Sequence, residues 1–247
     1  MPQYVGSKWR KTVALMSSGP LKRVIPVTVR FNVSKLKKML EQHGMVYVKP
    51  DVGSHGKGVM RVEHSGGQYS FQLGKRLRAY PSYDLMASEL RKQFKGKRYL
   101  IQKGIHLLTH RGRRFDIRVM AQFNPSKQWE TTGMIGRVAA PRKIVTNYHG
   151  GGALTPLSSL LGKRLSSSGY KKKIRSFEKM GVTAGRTMRK HFPGVCEVGL
   201  DIGMDRTLTP WIIEVNTAPD PYIFRKLRNP AIFRKIRRYA KAYGRLK

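Results

Sequence analysis

The sequence predicts an α+β fold for its 247 residues, as one large domain or as two lobes sharing a cleft. Short apolar runs alternate with longer stretches of helical periodicity, and a hydrophobic content of 40% is enough to form a core. Residues 198–204 and 211–215 are short, partly β-branched runs separated by the turn-rich Asp205-Arg-Thr-Leu-Thr-Pro210, so they read as adjacent antiparallel strands. A second strand pair, 45–49 and 59–63, flanks a glycine-rich loop.

Lysine and arginine total 50 against 13 acids, and the formal charge of +37 predicts attraction to polyanions: nucleotides, nucleic acid, anionic membrane or an acidic protein. The one cysteine, Cys196, excludes an internal disulfide framework and a multi-cysteine zinc site, and reads as a small buried apolar residue. Met1-Pro-Gln-Tyr-Val-Gly6 lacks the apolar core of a signal peptide, and no run approaches ~18 apolar residues. Neither export nor a transmembrane span is expected, and the cytoplasm is the default compartment.

In chain order, Ser7 caps a short basic helix to Met16, and an extended stretch follows at 24–31. Asn32 or Ser34 caps a helix through His43, with Leu36, Met39 and Leu40 on one face and Gly44 ending it. Residues 82–94 read as a helix with Leu85, Met86, Leu90 and Phe94 inward, and 99–103 as a buried strand. Strands at 110–120 and 129–137 continue the sheet, and a polar glycine loop occupies 144–153. Residues 167–192 form a long amphipathic helix with Ile174, Phe177, Gly181, Ala184 and Met188 on one stripe and a lysine–arginine outer face. Asn229-Pro230 starts a last helix, with Ile232, Ile236, Tyr239 and Tyr243 at helical spacing and no acid from Arg225 onward. These elements divide the chain into a basic segment and helix (1–44), a small lobe (45–103), a large lobe (104–224) and a basic terminal helix (225–247).

Three oxygen-bearing side chains converge on the strand pair. Asp201 lies mid-strand in the first run, while Glu214 and Asn216 sit two apart on the second, so the pleat points both to one face. Two carboxylates and an amide oxygen form a hard-oxygen set of the kind magnesium takes; the competing reading is core carboxylates paired with arginine. Lys49 ends a strand that opens into a loop where Gly53, Gly56 and Gly58 allow backbone N–H groups close to an anion. Ser54 lies in the same loop, and Lys57 adds a second point charge. A purely structural glycine hairpin is the alternative. Asp116 and Arg118 alternate with apolar residues and face one side, either as a cross-strand ion pair or as contacts to a sugar hydroxyl and a phosphate. Asn147 reaches a phosphate or caps a turn, and His149 reads as a loop residue.

Taken in order, Lys49, the glycine flap, Gln102-Lys-Gly-Ile105, Asp116-Ile-Arg118, Asn147 and Asp201…Glu214-Val-Asn216 resemble the ATP-grasp superfamily over roughly residues 45–220. Phe115-Asp-Ile-Arg-Val119, Thr132-Gly-Met-Ile-Gly-Arg137, Val145-Thr-Asn-Tyr-His-Gly-Gly-Gly152 and Trp211-Ile-Ile-Glu-Val-Asn-Thr217 look most like the YheC/YheD group associated with endospore coats. Ser7-Lys-Trp9 and Ile25-Pro26 are similar to the way that group begins this region, and a more distant similarity runs to enzymes that ligate glutamate onto a ribosomal protein.

The resemblance implies two α+β lobes holding a nucleotide in the cleft between them. It implies that Lys49 and the flap hold ATP phosphates, that groups around Gln102 and Lys103 read adenine, and that Asp116 takes the ribose. Arg118, Arg137 and Asn147 would line the phosphate and acyl-phosphate region, and Asp201, Glu214 and Asn216 would carry magnesium. The implied activity is ATP- and Mg-dependent ligation of a carboxylate to an amine or thiol through an acyl phosphate, on an acidic or spore-coat-associated substrate. Lys103 stands where relatives often have an acid, which leaves adenine reading to backbone groups. The upstream domain that many relatives place before this region is not in the sequence, which leaves the acceptor open. The other reading is an ATP-binding assembly protein, or a nucleic-acid binder, that keeps the scaffold without turnover. In either case the terminal helix and the Lys171-Lys-Lys173 face are expected to collect an acidic protein or polyanion.

Overall fold

In the computed structural model, which describes residues 2–246, two antiparallel sheets meet across a cleft. The start and stop signals act where the sequence places them. Ser7 accepts the Arg10 N–H and caps α1 (Lys8–Met16), and a short α2 (Gly19–Lys22) follows. β1 (Thr28–Arg30) leads to α3 (Val33–His43), which is capped by Asn32 and ended by Gly44 in a left-handed conformation, φ 67°.

β2 (Met45–Pro50), β3 (Met60–Ser65), β4 (Gln68–Leu73), β5 (Arg76–Tyr80), α4 (Tyr83–Lys92) and β6 (Tyr99–Lys103) complete the first lobe. Its sheet runs β1-β6-β2-β3-β4-β5, and α3 and α4 bury Leu36, Leu40, Met86 and Leu90 with Val46, Val48 and Ile101 in one core. Leu85, expected inward, is 54% exposed. The buried face of α4 is Tyr83, Met86, Ala87 and Leu90, which keep i, i+3, i+4, i+7 spacing, and Leu85 falls outside that stripe. Strands β4 and β5 went unrecognised in the sequence, because β5 is an edge strand with almost no buried position. The signal for them was the Gly66-Gly67 dipeptide, with φ 59° and 74°, which turns β3 into β4.

The second lobe contains β7 (Thr109–His110), β8 (Arg113–Phe123), β9 (Trp129–Val138), β10 (Ala153–Thr155), α5 (Leu157–Leu161), α6 (Ser167–His191), β11 (Glu197–Met204), β12 (Pro210–Asn216) and α7 (Pro230–Ala242). Its sheet runs β10-β9-β8-β11-β12, with β7 paired to β8 off that path. The pleat of β8 separates two chemistries. Phe115, Ile117 and Val119 join Phe177, Ala184 and Met188 of α6, together with Ala14 and Leu15 of α1, in one core. On the other face Met120 packs with Ile236 of α7 and with Phe224, while Asp116 and Arg118 nearby line the cleft. Tyr243 caps α7 at its C-terminal end, and its hydroxyl donates to Glu197 at 2.6 Å.

α6 approaches the sheet closely where Gly185 faces Trp129; a Cβ added there would lie 2.1 Å from the indole. Helix propensity favours alanine over glycine by about 1 kcal/mol, whereas forcing atoms into a packed core typically costs about 1–3 kcal/mol. Gly185→Ala is therefore expected to lower the denaturant midpoint despite its better propensity. An unchanged or raised midpoint would show that α6 can move away from the sheet freely.

Candidate functional site

A cavity of about 700 Å³ lies between the two sheets. Of the residues singled out in the sequence, Lys49, Gly53, Ser54, Gly56, Lys57, Gln102, Lys103, Asp116, Arg118, Arg137, Asn147, Asp201, Glu214 and Asn216 line it, while Gly58 of the flap does not. Strand register assembles its floor. Asp116 on β8 lies opposite Arg137 on β9, and Arg118 lies opposite Asp201 on β11. Arg137 donates through Nε at 2.8 Å and Nη2 at 2.5 Å to Asp116, and its Nη2 lies 2.9 Å from Asp201 Oδ2. Arg118 Nε donates to Asp201 Oδ1 at 2.7 Å. Burial alone would raise the Asp201 carboxyl, but Arg118 and Arg137 overcome it and hold it down at about 2. Burial likewise opposes the charge of Arg137, and Asp116 and Asp201 hold its affinity for the proton above the ordinary value.

Of the two sequence readings of Asp116 and Arg118, the side chains adopt the ion-paired one, across to β9 and β11. Asp116 also accepts from Thr146 Oγ1 at 2.6 Å, so both carboxylate oxygens are engaged by the protein, and it is buried. In this arrangement Asp116 aims Arg137 and presents no free oxygen to a sugar.

Lys49 reaches the cavity from β2. Its Nζ donates to Gln102 Oε1 at 2.8 Å and to the Ile213 carbonyl at 3.0 Å, and Gln102 Nε2 donates to Thr28 Oγ1 at 3.0 Å. The Gln102 amide is thus spent on orienting Lys49. Burial drives the Lys49 ammonium down to about 8, against the attraction of Glu214. Lys103 is half-buried, with Nζ 5.7 Å from the Trp211 ring centroid.

Two further lysines, unforeseen as site residues, enter from α1. Lys8 lines the cavity, donates through Nζ to the Gly53 carbonyl at 2.8 Å and stands 3.6 Å from Glu214 Oε1. Lys11 is buried one turn on, and burial lowers its pKa in spite of Glu214. The flap begins against this helix: Ser7 Oγ donates to both Asp51 carboxylate oxygens, and the Trp9 N–H donates to Oδ1. Lysines on a short basic helix read as a solvated face in sequence. Only Ser7-Lys-Trp9 among the resembling motifs hinted otherwise.

Gly56 and Gly58 take left-handed backbone, φ 68° and 75°, at the flap tip, and Gly56 packs on Val145 of the facing loop. Asn147 makes no turn cap; both polar atoms of its amide are buried without a hydrogen-bond partner among the described residues. Such an orphaned donor and acceptor at a cavity wall marks a place for a polar ligand. His149 sits in a short 3-10 turn, with Nε2 3.0 Å from Asp220 Oδ2.

The donor set fits magnesium. Asp201 and Glu214 face each other in register across β11 and β12, and Asn216 follows two residues on. Neither Glu214 nor Asn216 donates to or accepts from another side chain within 3.5 Å among the described residues, and Lys8 Nζ stands 3.6 Å from Glu214 Oε1. Glu214 and Asn216 would hold the ion; Asp201 adopts the arginine-paired reading, with Oδ1 on Arg118 and Oδ2 on Arg137, and like Asp116 it has no unengaged oxygen in this arrangement.

The Gln102 clamp has a pH-dependent consequence. Lys49 loses its proton at about 8 when folded and near 10.5 when unfolded, so between these values the unfolded chain binds more protons and stability rises with pH. Gln102→Leu removes an acceptor that favours the charged amine, so its penalty, about 1–3 kcal/mol at pH 7, should shrink by pH 9.5. Denaturant melts at the two pH values measure this, and a pH-independent penalty would contradict the clamp.

The family described as YheC/D like ATP-grasp has a model that matches residues 2–246. The endospore coat-associated protein YheD of Bacillus subtilis (strain 168) is 24% identical over 199 residues, covering 78% of this chain and 43% of that protein, so the chain spans less than half of its length. Among solved structures, D-cycloserine synthetase DcsG superposes with a TM-score of 0.58 at 12% identity, over 98% of this chain and 70% of that one. The C-terminal domain of K. lactis Pby1, an ATP-grasp enzyme that interacts with the mRNA decapping enzyme Dcp2, gives 0.52 at 14% identity, over 96% and 72%. D-alanyl-alanine synthetase A of Vibrio cholerae gives 0.52 at 12% identity, over 86% and 56%. At these identities the likeness is one of fold, and it agrees with the two-sheet cleft. With a family match running almost from end to end, the chain belongs to the YheC/D-like ATP-grasp family.

Proposed function

We propose that this chain is an ATP- and magnesium-dependent ligase that activates a carboxylate as an acyl phosphate and delivers it to an amine or thiol. The observation that supports it best is the convergence on one cavity of buried Lys8 and Lys49, Arg118 and Arg137 with the Asp201–Glu214–Asn216 set. These cations repel one another, and the acids present offset only part of that repulsion, so a polyphosphate is the natural counter-ion. The cavity volume is in the range of pockets that take a drug-sized ligand.

In this reading the lobe at 45–103 holds ATP from above and the lobe at 104–224 from below. Lys49, fixed by Gln102 and Ile213, and Lys8, tied to the flap, contact phosphate oxygens. Backbone N–H groups of Gly53–Gly58 close over them, with Ser54 and Lys57 at the rim. The strand end at Gln102 and Lys103 reads adenine through the backbone. Glu214 and Asn216, beside the arginine-bound Asp201, would hold magnesium, which would supply neutralisation of phosphate charge. Arg118 and Arg137 are held rigid by Asp201 and Asp116, so they meet charge developing on the transferred phosphoryl group without reorganising. Asn147 offers its unpartnered amide to the acyl phosphate.

The carboxylate is proposed to be carried by an acidic peptide or a spore-coat-associated molecule, by analogy with the coat-associated relative. No helix is long and apolar enough to cross a membrane among the described residues, and a cytoplasmic place of action belongs to the same proposal.

The test is magnesium-dependent ADP release, screened over pairs of carboxylates and amines that include acidic peptides. Release is expected only with a carboxylate present, and Glu214→Gln should reduce it by at least about 100-fold while leaving the melting midpoint near wild type. ATP binding with no release for any pair would favour a non-catalytic ATP-binding protein. Undiminished release by Glu214→Gln would remove that residue from the metal site.

A further inference from the structure

A second, shallow cleft of about 490 Å³, open to solvent, lies at the far end of the β8–β9 hairpin, on the sheet face that α6 covers. It is separated from Arg118 by the length of β8 to Phe123, about 17 Å. Phe123 and Trp129 form its apolar wall, and Lys127, Arg186, Arg189 and Lys190 surround it without an acidic residue in the lining.

The cleft is built rigidly. The Arg189 guanidinium carbon lies 4.1 Å from the Phe123 ring centroid, and its Nη1 donates to the Val195 carbonyl at 2.9 Å, so a planar cation is fixed over an aromatic face. Trp129 is 7% exposed, backs onto Gly185, and its indole N–H has no hydrogen-bond partner among the described residues. Lys127 projects from a tight turn that takes a left-handed backbone, φ 57°, and is closed by its N–H to the Asn124 carbonyl at 2.9 Å.

α6 carries the pattern onward. Lys171, Arg175, Lys179, Arg186 and Lys190 are exposed and fall at spacings of four or seven residues, which places them on one stripe about 28 Å long. Like charges four residues apart destabilise a helix. Exposed Glu178 stands at the edge of this row, and the remaining excess of positive charge is relieved by a linear polyanion; the row leads into a cleft whose fixed Arg189 guanidinium plane suits a flat ring.

We propose that the α6 stripe and the Phe123–Trp129–Arg189 cleft form a binding site for single-stranded nucleic acid, with phosphates along the stripe and a base stacked in the cleft. An acidic protein would satisfy the charges but gives no use to the planar groups. The site shares Lys171 with the α6 face that the sequence suggested and leaves out the terminal helix. On α7, Lys235 is paired with Glu130 and Tyr239 donates to the same carboxylate, while Lys173 of α6 donates to the Leu208 carbonyl. Those cations serve the fold.

The test uses the full chain and a fluorescein-labelled oligothymidylate of about 12 nucleotides, with anisotropy read across a KCl series. The exposed residues Lys127, Arg186 and Lys190 are replaced together by glutamine, and a charge-matched control replaces Lys75, Arg76 and Arg78 near β5. The cleft variant should bind at least about 10-fold more weakly and lose roughly 2 from the slope of log K against log salt, with the control within about 3-fold of wild type. Equal losses in the two variants would overturn the site, since the binding would then follow total charge alone. Labelled polyglutamate binding more tightly than the oligonucleotide at the same salt would also overturn it, in favour of an acidic protein.

Discussion

The chain of buried charge Asp116–Arg137–Asp201–Arg118 is the constraint on which the rest of the site depends. It crosses β9, β8 and β11 in register, so it is both the floor of the cavity and a lock on strand alignment. A slip of one residue would turn these groups into the apolar core under α6, where none would find a partner. Removing one member of such a set leaves an uncompensated buried charge, typically worth about 3–5 kcal/mol, whereas replacing the whole set by apolar groups can be neutral. The set is therefore weak evidence for stability as such. It is better evidence for a floor whose two arginines must not move.

The opposite wall is assembled by long-range contacts of a different kind. Thr28, Gln102 and Lys49 form a hydrogen-bonded relay across β1, β6 and β2, and it ends on the Ile213 carbonyl of the other lobe. α1 packs on the core beneath α6 while Ser7, Trp9 and Lys8 bond to Asp51 and Gly53 at the root of the flap. A helix held by one lobe thus steers the loop of the other, and its Lys8 adds a positive charge to the space between them.

Much of this was legible in the sequence. Capping residues and periodicity gave the helices, and the order and spacing of Lys49, the glycine flap, Asp116-Ile-Arg118 and Asp201…Glu214-Val-Asn216 gave a set that does line one cavity. What spacing could not give was who pairs with whom. Asp116 and Arg118 share a face, yet each finds its partner on a neighbouring strand, because partner choice is decided by register between strands far apart in sequence. The resemblance assigns adenine reading to groups around Gln102 and Lys103, while the Gln102 amide is taken up by Lys49 and Thr28. Lys8 and Lys11 were hidden for a simpler reason. On a helix rich in lysine and arginine, burial is set by what the helix packs against, and a local pattern carries no record of that.

The central claim is that one nucleotide is held between Lys49 on one lobe and the Glu214–Asn216 strand on the other. A crystal structure with magnesium and a non-hydrolysable ATP analogue tests it most directly. The account predicts phosphate oxygens within hydrogen-bonding reach of Lys49 Nζ, an ion on Glu214 and Asn216, and adenine beside the strand end at Lys103. A nucleotide bound elsewhere, with Lys49 still on Gln102 and Ile213 alone and Glu214 still facing Lys8, would contradict it.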